Sequence, residues 1–232
     1  MTALDAHWQA TNARIAAATA AAGRPAGAVR LLAVSKTFGA ARVAELAAAG
    51  QRAFGENYLQ EAVDKILALA GPVPPLEWHF IGPLQSNKTK PVAEHFDWVH
   101  SVDRLKVAER LAAQRPADRP PLNVLIQVNI DDEGSKSGVA PAETAALVRA
   151  VVQLPRLHLQ GLMTIPQPAA GFEAQRPAFA ALRRLRDEIT TTTGVALSEL
   201  SMGMSADLEA AIAEGATIVR VGTAIFGERQ RN

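Results

Sequence analysis

Residues 30–36 read Arg-Leu-Leu-Ala-Val-Ser-Lys, an apolar run that ends in a single lysine, Lys36. A continuous apolar run without strict in-out alternation is typical of a parallel strand covered on both faces. Lys36 then lies where a buried strand gives way to a loop, and desolvation there favours the neutral amine that condenses with a carbonyl. A surface lysine that caps a strand end is the simpler interpretation, and Lys36 alone does not decide between the two.

Runs of the same kind recur along the chain and alternate with amphipathic stretches. After a leading helix at 4–22, eight strands joined by seven crossover helices are predicted. This is the count of an α/β fold, a single-domain (β/α)8 TIM barrel over residues 1–232, with a doubly wound open sheet as the alternative. The predicted strands are 30–35, 51–55, 76–81, 98–102, 123–129, 157–163, 197–201 and 217–221, and the predicted crossover helices are 40–49, 58–70, 87–94, 103–114, 141–153, 172–192 and 206–214.

Composition narrows the class of protein. Of 232 residues, 48% are hydrophobic and 20% charged, as in an ordinary globular protein that buries one sizeable core. The absence of cysteine excludes disulfides, thiolate metal sites and thiol nucleophiles. A net charge of +1 without a basic block argues against nucleic acid as a partner. Because no leader-like or membrane-length apolar segment is found, we expect a cytoplasmic protein that does not associate with membranes.

Polar residues gather at the predicted carboxyl ends of the strands, where a barrel of this type keeps its chemistry. Ser201, Gly203, Gly222 and Thr223 follow strands seven and eight, the loops with which such barrels often hold phosphate. Glycine lets the backbone approach an anion closely, and hydroxyls add donors without bulk. Each segment taken singly is also typical of an ordinary turn or helix N-cap.

Arg220, in the eighth run, has two interpretations that depend on the phase of its strand. Facing inward, its guanidinium donates to a heteroaromatic nitrogen and keeps a pyridine nitrogen unprotonated. Facing outward, it pairs with a helix carboxylate such as Glu214. His79, between Trp78 and Phe80, is likewise either a stacking residue or plain core.

Two other basic segments are less specific. The segment 85–90, Gln-Ser-Asn-Lys-Thr-Lys, is interpreted as a solvated loop, with binding of phosphate or a partner as the alternative. Lys136, in a polar loop after strand five, rivals Lys36 and is expected to be exposed. The other histidines lack the spacing of metal ligands, so no metal site is predicted.

Several longer strings occur together and carry a resemblance. They are Ala33-Val-Ser-Lys36, Phe54-Gly-Glu-Asn-Tyr58, Trp78-His-Phe-Ile-Gly-Pro-Leu-Gln-Ser-Asn-Lys88, Gly161-Leu-Met163, Leu200-Ser-Met-Gly-Met-Ser205 and Val219-Arg-Val-Gly-Thr223. With them the chain resembles, over essentially its whole length, the pyridoxal phosphate homeostasis proteins, also described as alanine-racemase-like. It departs from that pattern after Met163, where Thr-Ile-Pro-Gln-Pro168 stands.

The resemblance implies a fold-type III barrel that binds pyridoxal 5'-phosphate (PLP) as an internal aldimine on Lys36. It implies that Ser201, Gly222 and Thr223 hold the phosphate and that Arg220 faces the pyridine nitrogen. It also implies further residues that line the ring pocket, and no catalytic residue. The complete implied cofactor site is Lys36, Asn57, His79, Met163, Ser201, Met204, Arg220, Gly222 and Thr223.

Turnover is a separate question. The family implies maintenance of the PLP pool, with effects on amino-acid and keto-acid balance, no established catalysis, and PLP-dependent apo-enzymes as recipients. The alternative is a weak amino-acid racemase that uses Lys36 with water or Tyr58, the single tyrosine. Racemases of this fold take a tyrosine base from a second domain across a dimer interface. Because we do not find such a domain after strand eight, we expect a monomer without catalysis. An interaction module without cofactor is the third class.

Overall fold

The computed structural model describes residues 2–71, 75–131 and 137–227. Its strands coincide with the eight predicted runs and form one closed sheet. Six of them begin or end one or two residues inside the predicted limits, and two of these six, the second and the fifth, extend one residue beyond the limit at their other end. The strands are β1 Arg30–Val34, β2 Ala53–Glu56, β3 Glu77–Phe80, β4 Trp98–Val102, β5 Leu122–Gln127, β6 Leu157–Met163, β7 Glu199–Ser201 and β8 Ile218–Val221.

The barrel closes by parallel pairing of each strand with the next and of β1 with β8. Leu32 of β1 lies opposite Arg220 of β8. Because every strand runs in the same direction, all eight carboxyl ends meet at one mouth of the barrel. The prediction of a (β/α)8 barrel is confirmed, and the alternative of an open doubly wound sheet is wrong.

Helices cover the outside of the barrel, and the leading helix packs against the last two helices. Its first turn is fixed by a capping box, in which Thr2 Oγ1 accepts from the Asp5 N–H and the Asp5 carboxylate accepts from the Thr2 N–H. The predicted extra N-terminal helix is therefore confirmed. The helices are α1 Ala3–Ala21, α2 Ala40–Ala48, α3 Leu59–Ala68, α4 Thr89–His95, α5 Leu105–Gln114, α6 Pro141–Val151, α7 Phe172–Thr193, α8 Leu208–Ala213 and α9 Thr223–Phe226.

Buried apolar side chains form two layers that position the site. The larger layer lies between the strands and the helices and includes Phe54, Trp78 and Phe80. Inside the barrel, two small clusters fill the space: Leu32, Val34, Ile81 and Ile218 form one, and Trp98, Leu125 and Met163 form the other. The barrel is thus a packed core whose polar side chains are the exceptions that need explanation.

Two segments differ from the predictions. Residues 85–90 are helical and not a loop, because Ser86–Lys88 form a 3-10 helix that leads into α4. Their predicted exposure holds for Gln85, Asn87, Lys88 and Lys90, whereas Thr89 is fully buried. The Thr89 hydroxyl donates to Gln114 Oε1, so packing against α5 orders this basic stretch. The short helix α9 was not predicted, because four residues are too few to show a helical period.

Candidate functional site

The carboxyl-end mouth of the barrel holds a cavity of about 370 Å³. Its wall includes Asn57 after β2, Met204 after β7 and the segment after β6, in which Ile165, Pro166 and Pro168 stand where the sequence departs from the family pattern. Asn57 Oδ1 is buried and has no hydrogen-bond partner among the described residues. Such an atom is costly to leave unpaired, so the mouth is suited to a ligand that donates a hydrogen bond.

Lys36 follows β1 at this mouth and is only partly exposed. The backbone on both sides of it is held from α3. The Lys65 ammonium donates to the Ser35 carbonyl at 2.8 Å, and the Thr37 N–H donates to Glu61 Oε1 at 2.6 Å. Thr37 adopts a φ of 70°, a left-handed conformation that costs a non-glycine residue about 1 kcal/mol. These contacts fix the chain direction from which the Lys36 side chain starts.

A buried ion pair anchors this arrangement. Lys65 Nζ lies 2.8 Å from Glu56 Oε1 and 2.5 Å from Glu61 Oε1, and the Ser35 hydroxyl donates to Glu56 Oε1 at 2.5 Å. Burial raises the pKa of the Glu56 carboxyl, against the opposing hydrogen bonds from Lys65 and Ser35. We call Ser35, Glu56, Glu61 and Lys65 the outer network, because it lies between the barrel wall and α3.

Arg220 points into the barrel, not toward Glu214. Its Nη1 donates to Ser201 Oγ at 2.8 Å, and its Nη2 donates to the Thr164 carbonyl at 2.9 Å. The alternative of an outward ion pair is wrong, because Glu214 pairs with Arg176 and Arg183 on α7. Burial lowers the pKa of Arg220 to about 10, which still leaves the guanidinium protonated at neutral pH.

The positive charge of Arg220 has no carboxylate contact within the described part of the chain. A buried cation whose direct partners are neutral retains most of its desolvation cost. The Asp207 carboxylate opposes that cost only at longer range. The centre of the barrel is therefore prepared to receive an electron-rich or anionic group.

A line of polar side chains continues from Arg220 across the barrel. His100 Nδ1 lies 2.9 Å from Ser201 Oγ, and His100 Nε2 lies 2.9 Å from His79 Nδ1. His79 Nε2 lies 2.7 Å from Glu77 Oε1, at the amino end of β3. We call Glu77, His79, His100, Ser201 and Arg220 the inner network. The sequence did not reveal it, because its members come from four separate strands.

The loops after β7 and β8 come together beside the β1 loop. Gly203 has a φ of 94°, and a Cβ there would lie 2.5 Å from Ala211 Cβ, so only glycine fits. The Ala224 N–H, in the first turn of α9, reaches Ser205 Oγ at 3.4 Å. The N–H groups of Ile225 and Phe226 donate to the Gly222 carbonyl, so the donors that this turn offers to an anion are those of Thr223 and Ala224.

The β1 loop and α9 are also tied by aromatic stacking. The rings of Phe38 and Phe226 stack with centroids 4.9 Å apart. Gly222 passes so close to β1 that a Cβ would meet the Val34 carbonyl oxygen at 3.2 Å. Lys36 and the α9 turn thus occupy adjacent parts of the mouth.

The structure divides the predicted site residues into two sets. Lys36, Asn57, Met204, Gly222 and Thr223 lie at or near the mouth. The remaining residues are buried in the interior: Met163 packs with Trp98 and Leu125, and His79, Ser201 and Arg220 belong to the inner network. Lys136, predicted as an exposed rival of Lys36, lies outside the described residues.

Sequence reasoning missed His100, Ser205 and the pair Glu56–Lys65. His79 and His100 lie on neighbouring strands, and only the strand register shows that they meet. Ser205 stood in a quoted motif but was given no role. Glu56 stood in the quoted string Phe54–Tyr58 and was likewise given no role, although its side chain is fully buried.

Two kinds of feature are absent from the part of the chain that the structure describes. Among residues 2–71, 75–131 and 137–227, no group of three or more histidine, aspartate or glutamate side chains is placed to hold a metal ion. Across the same residues, no helix combines the length and apolarity needed to cross a bilayer.

Comparison with known sequences gives consistent matches over nearly the full chain. The family model of the alanine racemase N-terminal domain matches residues 7–230. The pyridoxal phosphate homeostasis protein of Pseudomonas aeruginosa is 62% identical over 217 residues, which cover 94% of this chain and 92% of that protein. The protein of the same name from Escherichia coli is 55% identical over 228 residues, which cover 93% of this chain and 92% of that protein.

Solved structures agree with these matches. PipY of Synechococcus elongatus, solved with PLP bound, aligns with a TM-score of 0.79 and 40% identity over 92% of this chain and 100% of PipY. A protein of unknown function from Bifidobacterium adolescentis aligns with a TM-score of 0.86 and 39% identity over 96% of this chain and 94% of that chain. Alanine racemase of Corynebacterium glutamicum, at 22% identity and a TM-score of 0.64, shares the fold.

Proposed function

The chain belongs to the pyridoxal phosphate homeostasis family, and from that premise we propose that it binds PLP at the carboxyl-end mouth, covalently attached to Lys36. The observation that carries the proposal is the inward Arg220, a buried guanidinium held between Ser201 and Thr164 one strand away from the β1 loop. An aromatic nitrogen with a free lone pair is the kind of acceptor that such a donor binds.

The residues at the mouth, together with Arg220 in the interior, match the chemistry of this cofactor. Arg220 supplies a donor and a positive charge, and the unpaired Asn57 Oδ1 supplies an acceptor. The first turn of α9 supplies N–H groups for a phosphate, with the Thr223 and Ser205 hydroxyls beside it. A dianionic phosphate and a polar heteroaromatic ring would satisfy groups that are otherwise costly to bury.

Phosphate binding is assigned to Gly222, Thr223 and Ser205. Gly222 brings the α9 turn against β1, and Ser205 faces the Ala224 N–H. The Ser201 hydroxyl, predicted as a phosphate donor, is fully buried and already contacts Arg220 and His100. We therefore assign Ser201 to the support of Arg220.

Lys36 is assigned to covalent attachment. When bound, the cofactor would supply an aldehyde to which the Lys36 amine could attach covalently and reversibly. The outer network holds the backbone of Ser35 and Thr37, so the amine starts from a fixed position. Ile165, Pro166 and Pro168 form an apolar part of the cavity wall.

The biological role that we propose is to hold and release PLP, as a carrier or buffer that serves PLP-dependent apo-enzymes. Arg220 supports this role, because a guanidinium at the ring nitrogen keeps that nitrogen unprotonated and weakens the ring as an electron sink. The expectation of a monomer belongs to the same proposal and is checked by light scattering. The alternative, a weak racemase, requires a second acid or base, and Tyr58, the candidate, is half exposed at the start of α3.

Absorption spectroscopy with chemical trapping tests the attachment. The purified protein mixed with PLP should show a near-visible band that borohydride removes, and peptide mapping should place the reduced label on Lys36. Lys36→Ala should lose both the band and the label. Lys90→Ala is the matched control, because the Lys90 side chain is 69% exposed on α4 and should label like the wild type.

Two further measurements separate holding from turnover. Mixing the loaded protein with a PLP-dependent apo-enzyme should restore the activity of that enzyme. Exchange of the Cα proton of D- or L-alanine in heavy water should remain at the background rate. Rapid exchange in the wild type that disappears in Lys36→Ala would reject the carrier proposal in favour of the racemase.

A further inference from the structure

The inner network connects the two ends of the barrel. Four contacts of 2.7 to 2.9 Å join Arg220 to Ser201, Ser201 to His100, His100 to His79, and His79 to Glu77. His79, His100 and Ser201 are almost completely buried, whereas the Glu77 side chain is 39% exposed. Glu77 begins β3 at the amino end of the barrel, opposite the mouth that holds Lys36.

The chemistry of the two ends fixes the direction of every hydrogen bond. Arg220 is always a donor, so Ser201 Oγ accepts from it and directs its own proton to His100 Nδ1. His100 then carries its proton on Nε2 and donates to His79 Nδ1. His79 in turn carries its proton on Nε2 and donates to the Glu77 carboxylate. Reversal would turn a lone pair of His79 toward that carboxylate.

The surroundings keep both imidazoles neutral. Burial lowers the pKa of His79, although the contact with Glu77 opposes this shift. Burial, together with the nearby His79 and Arg220, lowers the pKa of His100 well below its ordinary value. Arg30 also disfavours a proton on either ring. The His79 ring stacks on Trp98 with centroids 5.3 Å apart, so its plane is fixed as well.

We propose that Glu77, His79, His100 and Ser201 are positioning residues for Arg220, a relay through which a carboxylate at the amino end of the barrel orients the guanidinium at the cofactor site. This inference rests on the proposed function, since Arg220 is assigned there to the ring nitrogen. Hydrogen bonds in a chain polarise one another, especially at low dielectric, so a change at Glu77 is transmitted to the Arg220 donor. The relay thereby sets how strongly the bound ring is polarised.

Glu199 offers a matched control for Glu77. It begins β7 at the same end of the barrel, and its Oε1 lies 3.2 Å from Arg30, which also lies 3.8 Å from Glu77. Its other oxygen contacts Thr217 and no member of the inner network. Glu77→Gln and Glu199→Gln therefore remove the same charge near Arg30, but only the first alters the relay.

The first experiment uses the protein without cofactor. Nitrogen-15 NMR of labelled histidine should show both His79 and His100 as neutral rings protonated at Nε2. Glu77→Gln should shift the His79 signals and, to a smaller extent, the His100 signals, whereas Glu199→Gln should leave them in place. A proton on His100 Nδ1, or equal shifts in the two variants, would overturn the relay.

The second experiment uses the protein loaded with PLP. Glu77→Gln should shift the pH midpoint of the near-visible band by about half a unit or more, and Glu199→Gln should shift it by less than about a fifth of that. Ser201→Ala disconnects Arg220 from His100, so Glu77→Gln should have no further effect in that background. An additive effect would contradict the relay.

If neither the wild type nor any variant binds PLP, the proposed function is refuted. The NMR result would still test the direction of the hydrogen bonds in the relay.

Discussion

The outer and inner networks each bury one cation, but they differ in whether that cation contacts a carboxylate directly. In the outer network, the Lys65 ammonium contacts two carboxylates, Glu56 and Glu61, and a carbonyl. In the inner network, the Arg220 guanidinium contacts a hydroxyl and a carbonyl, and the nearest carboxylate along the chain of contacts is Glu77, three links beyond Ser201. The first cation is compensated where it stands, and the second is not.

This difference indicates that the outer network supports the fold and that the inner network contributes to ligand binding. A compensated ion pair contributes to the fold without a ligand, because removing either member leaves a buried charge. An uncompensated cation lowers the stability of the empty protein and gains its partner only when a ligand arrives. We infer that the outer network holds the Lys36 backbone at all times, whereas the inner network stores binding energy for the cofactor.

Removing the compensated cation should have the largest effect on stability. Lys65→Met keeps the length of the side chain but removes the cation beside the fully buried Glu56 carboxylate, which then retains only the Ser35 hydroxyl, and the Ser35 carbonyl retains only the Phe38 N–H. We expect a loss of about 3 to 5 kcal/mol in the free energy of unfolding, measured by urea denaturation of the protein without cofactor.

The double variant Lys65→Met with Glu56→Leu controls for loss of packing. Replacing both charges by apolar groups should recover at least half of that loss, because no unpaired buried charge remains. If the double variant is less stable than Lys65→Met, the pair contributes more than compensation, and the contrast between the networks fails.

Arg220→Met makes the corresponding change in the inner network. It removes hydrogen bonds to Ser201 and the Thr164 carbonyl but also removes a buried charge that lacks a carboxylate. We expect a loss of about 1 to 2 kcal/mol or less in the free energy of unfolding without cofactor, together with a fall in PLP affinity of about tenfold or more. A loss of stability as large as that of Lys65→Met would show that the two cations are equally compensated.

The sequence predicted the barrel and the strand-end positions of Lys36 and Arg220, but not the side-chain contacts that make up the two networks. The eight strands follow from apolar runs and turn residues, and local pattern is enough to place Lys36 and Arg220 at strand ends. The direction of the Arg220 side chain was open, because a shift of one residue moves every side chain to the other face. The structure settles it through Ser201 and Thr164.

The contacts that the sequence did not predict join residues that are distant in the chain. His79 and His100 meet because β3 and β4 are neighbours in register, with His79 opposite Trp98. Glu56 and Lys65 meet across a strand and the helix packed on it. Neither contact repeats at a fixed spacing in the chain, so no periodicity reveals it. For the same reason the contacts of Ser201 with Arg220 and His100 were not predicted, although its position after strand seven and the family resemblance predicted a phosphate role for it.

The two networks should also respond to pH with opposite sign. Burial raises the pKa of Glu56 above its ordinary 4.5, whereas for Glu77 the contacts from His79 and Arg30 outweigh burial and lower the pKa. The Glu56 contribution to stability is therefore fully present below 4.5 and is lost as the pH rises. The Glu77 contribution is present above 4.5 and is lost as the pH falls through its lowered value.

Denaturation curves of the two variants isolate these contributions. Relative to Glu56→Gln, the wild type should lose stability as the pH rises from about 4.5 toward neutrality. Relative to Glu77→Gln, it should lose stability as the pH falls below about 4.5. Difference curves of the same sign would contradict the opposite pKa shifts of Glu56 and Glu77.

Glu61 should show the smallest effect on stability and the clearest link to Lys36. Its side chain is one-third exposed, and it accepts from the Thr37 N–H as well as from Lys65. Glu61→Gln keeps an acceptor and should cost less than about 0.5 kcal/mol, whereas Glu61→Leu frees the strained Thr37 backbone and should cost about 1 kcal/mol. Stopped-flow absorbance should show slower attachment of PLP in Glu61→Leu than in Glu61→Gln, because the Lys36 amine then starts from a less defined position. Equal rates in the two variants would mean that the outer network stabilises the fold without directing the lysine.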